Sequence, residues 1–240
     1  MIDTYPWGRI DAACGALSRS QSCSLSDDQL RELEAHVRHH LNVTRLDESV
    51  AAYWVLDDHP GDVRSAIELI HRLVEEDNLV GQTPRATICG FGGDLDDAQR
   101  APATSRAAFD AAIANFTPGG CDAVALYPYA HTGNADGVDW SMSQLLPYML
   151  QALRDRGWDA TRQPLIGIPQ TFRFGSAASP TAADVAAQTA AYCTAGASAI
   201  VFYAWNDSAA GPKAELLDAP DLRQGATGGL AACDALWQAG

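Results

Sequence analysis

"AAYWVLDDHPG", residues 51–61, is an unbroken apolar run that stops abruptly at Asp57, Asp58 and His59 before Pro60 and Gly61. A run this short, apolar on nearly every residue, reads as a strand covered on both faces. Strands of parallel sheets flanked by helices take this form. Its polar end is then the C-terminal tip of a parallel strand, the place where α/β folds carry chemistry.

The same unit recurs at "ATICGFGG" (86–93), "DAVALYPY" (122–129), "PLIGIPQTF" (164–172) and "AIVFYAWND" (199–207). Helical periodicity fills the gaps. "DVRSAIELIHRLVEEDN" (62–78) carries Val63, Ile67, Ile70, Leu73 and Val74 on one stripe, and residues 104–116, 140–157 and 181–197 repeat the pattern. Pro147 is expected in the first turn of its helix or at a kink. "SDDQLRELEAHVRHHL" (26–41) predicts a further helix with acids at its start and bases at its end, His39 and His40 being solvated there. Counting "MIDTYPW" as an earlier strand gives six strand–helix units in a single domain, 1–240.

Two architectures suit this pattern, an open doubly wound sheet and a (β/α)8 TIM barrel. No glycine-rich phosphate loop follows any strand, and polar or aromatic residues end every strand rather than one switch point, so the barrel is expected. A barrel closes with eight strands. Either the N-terminal units are missing and the barrel is incomplete, or residues 8–26, read as loop, hold more structure.

Net charge of −14 repels nucleic-acid backbones and anionic lipid, which excludes both as expected partners and leaves neutral or cationic ligands. No window reaches the about 18 to 20 apolar residues that span a bilayer, and "MIDTYPWGRID" lacks the charged-then-apolar order of a signal peptide. Secreted or extracellular residence is expected, with the cytoplasm as alternative. Of six cysteines, Cys14 and Cys23 lie in a Ser-rich loop and fit a bridge, while Cys89, Cys121 and Cys193 sit in apolar patterns that suit free buried thiols. No CxxC pair suggests structural zinc.

In a barrel the strand tips share one mouth. They bring Tyr5 and Trp7, Asp57, Asp58 and His59, Phe91 and Asp94, Tyr127, Tyr129 and His131, Gln170 and Phe172, and Tyr203, Trp205, Asn206 and Asp207 there. Aromatic faces stack on sugar rings, amides and carboxylates bind hydroxyls, and paired acids supply the proton transfers of glycoside cleavage. "GFGGDLDD" (90–97) lacks the alternating acids of a calcium loop and reads as a turn with capping aspartates.

"YWVLDDHPGD", "CDAVALYPY", "GIPQTF" and "GASAIVFYAWND", in this order over residues 50–208, together resemble the latter part of (β/α)8 glycoside hydrolases. The resemblance implies a carbohydrate substrate, no cofactor, and Asp58 at the family's acid position in an Asp-Asp-His-Pro variant of an Asp-Glu-Pro-like motif. Gln170 stands where many such enzymes carry a second glutamate, so the partner acid is expected from Asp57, Asp94, Asp207 or missing N-terminal strands. The expected catalytic residues are Asp58, Asp57 and Asp207. The expected sugar-binding residues are Tyr127, Tyr129, Gln170, Phe172, Tyr203, Trp205, Asn206, His59 and Trp7.

Each has a plainer reading: one of the adjacent aspartates as a helix cap, His59 as a loop-shaping residue before proline, the aromatics as core. Two rival functions follow. One is a degenerate sugar-binding barrel, suggested by Gln170; the other is a metal-dependent hydrolase built on Asp57, Asp58 and His59.

Overall fold

The computed structural model describes residues 1–14, 23–58, 61–81, 83–92, 102–129, 141–172, 180–203 and 216–238, with the backbone alone at 102–105. The described strands form a six-stranded sheet: β1 (Ile2–Asp3), β2 (Ala52–Asp57), β3 (Ala86–Phe91), β4 (Ala123–Leu126), β5 (Leu165–Gly167) and β6 (Ala199–Ile200). Their order in the sheet is their order in the sequence, with no reversal. A doubly wound sheet reverses at a switch point. This one instead repeats a single step, as successive βα units do.

Two compact units partition the chain. The first is Met1–Phe91, Ala108–Val124 and Leu153–Gln163; the second is Gly92–Ala107, Ala125–Ala152 and Pro164–Gly240.

In the first unit β1, β2 and β3 pair in parallel. The expected first strand is only two residues long, because Pro6 in the first turn starts α1 (Tyr5–Ala13) and its fixed φ suits a helix. Trp7 therefore lies half-buried on a helix and not at a strand tip. Helix α2 (Asp27–Thr44) opens with a capping box in which Ser26 and Gln29 satisfy each other's backbone donors, and it buries Leu33, Val37 and Leu41. Helix α3 (Arg64–Asn78) buries Ile67, Ile70, Leu73 and Val74 of the expected stripe, with Val63 just ahead of it. Each such side chain contributes about 1.5–3 kcal/mol relative to exposure.

The backbone of α4 (Pro102–Ala112) continues into a 3-10 turn, Ile113–Asn115. A π-turn (Ser141–Leu145) leads into α5 (Leu146–Asp155), where Pro147 sits in the first turn, its missing N–H tolerated.

In the second unit β5 and β6 pair in parallel and extend through a Gln170–Tyr203 bridge. Helices α6 (Ala182–Thr194) and α7 (Pro220–Trp237) pack closely because Gly225 faces the Ala182 backbone and Gly229 faces Thr189. Val185, Leu216, Leu222 and Ala226 form a core cluster there.

All six cysteines are paired, as Cys14–Cys23, Cys89–Cys121 and Cys193–Cys233. The first agrees with expectation. The reading of Cys89, Cys121 and Cys193 as free thiols is corrected: the segment before β4 brings Cys121 to β3, and the close approach of α6 and α7 brings Cys233 to Cys193.

Candidate functional site

The tip of β2 is shaped by a bulge. Trp54 pairs with Ile88 and Leu56 with Cys89, so Val55 is an extra residue and Asp57 comes opposite Gly90. Asp58 follows with φ +52°, the one non-glycine residue at positive φ among those described, and only 2% of it is exposed. Such backbone costs an L-residue about 1–2 kcal/mol, aspartate being among the more tolerant. Strain of this kind gathers at functional sites. The Asp58 N–H donates to the Gly90 carbonyl at 3.4 Å.

Beyond it, buried Asn115 grips the chain entering α3, donating to the Gly61 carbonyl at 2.7 Å and accepting from the Val63 N–H at 2.9 Å. Asp57, beside Asp58, is half-buried.

In the second unit the residues after β4, β5 and β6 form a run of rings. Tyr127 and Tyr129 lie 5.4 Å apart between centroids, Tyr129 meets Phe172 edge-on at 5.0 Å, and Phe172 meets Tyr203 edge-on at 5.3 Å. Tyr127 and Phe172 are buried, whereas Tyr203 is 42% exposed. Thr171 fixes Tyr203, its N–H and hydroxyl donating to the Tyr203 carbonyl at 3.3 and 2.7 Å.

Gln170 is fully buried, and its amide nitrogen donates to the Phe172 carbonyl at 2.9 Å while its N–H donates to Gln188 at 3.0 Å. Beneath β5, the Tyr192 ring covers Gly167, and burial holds its phenol neutral, well above the ordinary tyrosine range.

The structure thus groups Tyr127, Tyr129, Phe172, Tyr203 and Gln170 in one unit and sets Asp57 and Asp58 side by side in the other. His59, Asp94, His131, Trp205, Asn206 and Asp207 lie outside the described residues. Sequence reasoning missed Gly90, Trp54 and Asn115, although a glycine inside a strand pattern signals close approach. It also misplaced His40 as a solvated helix end. His40 lies on the inward stripe of α2, its Nε2 2.7 Å from Asp3 Oδ2 and its ring stacked on Tyr5 at 4.0 Å.

Among the described residues no group of three or more His, Cys, Asp or Glu side chains is placed to hold a metal ion. A cavity of about 120 Å³ in the first unit is lined by His71, Asp122, Asp159, Arg162 and Gln163 among others. Its polar groups serve the fold: one Asp122 oxygen accepts from the Thr87 N–H and hydroxyl, and the Gln163 amide donates to the Cys121 carbonyl. No described helix is long and apolar enough to cross a membrane.

No family model matches the sequence. A comparison with curated proteins finds no match either. Among solved structures the chain is similar to the Ruminococcus gnavus beta-glucuronidase, with a TM-score of 0.46 and 9% identity over 74% of this chain. The chain spans 30% of the length of that structure.

Proposed function

We propose that this chain is a carbohydrate-active hydrolase that cleaves O-glycosidic bonds of a neutral glycan, built on a (β/α)8-like arrangement of which six parallel strands are described. The observation that carries the reading is the run of aromatic rings from Tyr127 to the open surface of Tyr203, since sugar rings present apolar faces to such surfaces. Asp58, buried on left-handed backbone at a strand tip, supports the catalytic half.

In this reading Asp58 acts as general acid or base and Asp57 or Asp207 as its partner. One carboxyl protonates the glycosidic oxygen as the C1–O bond breaks; the other attacks C1 or takes a proton from the attacking water. Tyr129, Tyr203, Trp205, Asn206 and His59 contact the sugar, whereas Trp7, carried on α1, is left out of the site. Tyr127, Gln170 and Phe172 complete the binding surface, Gln170 through its hold on Phe172. Three disulfides support residence in an oxidising compartment, outside the cytoplasm.

A second reading, a sugar binder without hydrolytic activity, is favoured by Gln170, an amide committed to the fold where a second acid is expected.

Melting-temperature shifts and reducing-sugar release, measured side by side on a panel of neutral oligosaccharides, test both readings. A hydrolase releases product, a binder only shifts, and Tyr203→Ala weakens either response about tenfold or more, the scale of about 1.4 kcal/mol of stacking. Neither shift nor release on any glycan refutes both.

A further inference from the structure

A side chain on left-handed backbone keeps that geometry only where its surroundings impose it. At Asp58 those surroundings converge on Gly90. The Gly90 carbonyl accepts the Asp58 N–H, and Gly90 stands opposite Asp57 in the β2–β3 register. Its missing side chain matters as well, because the indole of Trp54 occupies that space: a Cβ on Gly90 would stand 2.6 Å from Cη2 and 2.9 Å from Cε2 of Trp54.

Trp54 pairs with Ile88, so its ring, seated on Gly90, reaches two residues along β3 beside the stretch where the bulge at Val55 falls. The ring on Gly90 and the Asp58 N–H on the Gly90 carbonyl both oppose relaxation of the bulge into regular pairing. A slip of one residue exchanges the two faces of a strand. Here it would exchange the settings of two adjacent carboxylates, Asp57 and Asp58.

We propose that Gly90 and Trp54 are positioning residues: the indole seated on Gly90 locks the β2 bulge and thereby selects Asp58, and not Asp57, as the carboxyl presented for acid–base chemistry. The selection rests on the reading of Asp58 as the acid–base group. Neither residue touches the substrate; both act through the β2 backbone.

Trp54→Ala, Trp54→Phe, Gly90→Ala and the double variant Trp54→Ala/Gly90→Ala test this, assayed for glycan hydrolysis and for hydrogen exchange and NMR shift of the Asp58 amide. A misplacement of about 1 Å lowers turnover about 100-fold. Gly90→Ala and Trp54→Ala are therefore expected to lose kcat on about that scale with KM nearly unchanged. Trp54→Phe recovers most of it. The double variant is no worse than Trp54→Ala, since a Cβ at position 90 then meets no ring. In both single alanine variants the Asp58 amide exchanges faster and its resonance moves.

Should Gly90→Ala fail to fold, the two Trp54 variants decide. Folded variants with unchanged kcat and an unchanged Asp58 amide overturn the proposal and leave Trp54 as core filling. If the wild type hydrolyses nothing, the acid–base reading fails separately, and the amide measurement alone judges whether Gly90 and Trp54 hold Asp58.

Discussion

Arg85→Met removes one guanidinium that the first unit uses five times. Arg85 is 4% exposed and donates through Nε to the Val50 carbonyl at 3.2 Å and through Nη1 to the Tyr53 hydroxyl at 3.2 Å. Through Nη2 it donates to the carbonyls of Thr44, Arg45 and Asp47 at 2.6, 2.9 and 3.0 Å. These carbonyls gather at the C-terminal end of α2, where unpaired acceptors and the negative end of the helix dipole favour a cation. The same side chain thus fastens α2 to the start of β3 and to β2, the strand that ends in Asp57 and leads into Asp58.

A hydrogen bond to a charged group contributes about 1.5–3 kcal/mol, but five on one side chain do not add. Arg85 Nη1 also lies 3.9 Å from Oδ2 of buried Asp77, and breaking a buried ion pair by removing one partner costs about 3–5 kcal/mol, while methionine fills enough of the volume that packing adds little. In a chain of this size 1 kcal/mol moves Tm by about 2–4 °C, so a fall of roughly 6–20 °C is expected. Thermal and urea unfolding followed by circular dichroism measure it. Arg85→Lys recovers little, because one ammonium cannot span acceptors that a planar fork reaches. A loss below about 1 kcal/mol for Arg85→Met would refute the reasoning.

Neighbouring glycines in α7 offer a paired test by thermal unfolding. Gly229→Ala sets a Cβ 2.5 Å from Thr189 Cβ and is expected to cost about 1–3 kcal/mol, whereas Gly228→Ala meets nothing within 4 Å and gains about 0.5–1 kcal/mol of helix propensity. Acid should weaken the fold. Hydrogen bonds from Ser49, Arg64, Arg72 with Arg38, and Thr161 hold the carboxyls of Asp47, Asp62, Glu76 and Asp159 below their ordinary ranges. With folded pKa values depressed, their stabilisation is present above the unfolded values near about 4 and is lost as pH falls through the folded ones. The urea midpoint measured from pH 6 to pH 2 should decline, and a flat profile contradicts this. Reduction of the three bridges should lower Tm, a native disulfide contributing about 2–4 kcal/mol, and a melt insensitive to reductant contradicts that expectation.

What the sequence made legible was local and periodic. The stripe of α3, the helix α2 with acids at its start and the apolar strands of β2 to β4 follow from neighbouring residues alone. Tyr5 to Trp7 resemble a strand because aromatic residues favour strands, whereas Pro6 favours a first helical turn and the segment opens α1. The cysteine pairs were legible only where the loop was short; Cys89 with Cys121 and Cys193 with Cys233 meet through register and helix packing, which no spacing encodes.

At the candidate site the residue types and strand tips could be read, and Asp58 was singled out. Its left-handed backbone, the bulge at Val55 and the indole on Gly90 are tertiary facts. They decide how two adjacent aspartates differ, and the letters "DD" do not.

In the proposed function the Asp58 carboxyl performs acid–base hydrolysis of a glycan. Reducing-sugar release by wild type and Asp58→Asn on a broad polysaccharide panel tests it most directly. Asparagine tolerates left-handed backbone and keeps the side-chain size, so the circular dichroism of the variant should match the wild type. Release by the wild type that falls by about 100-fold or more in Asp58→Asn is the predicted result, the scale of general acid–base catalysis. Equal release by both proteins would contradict the claim.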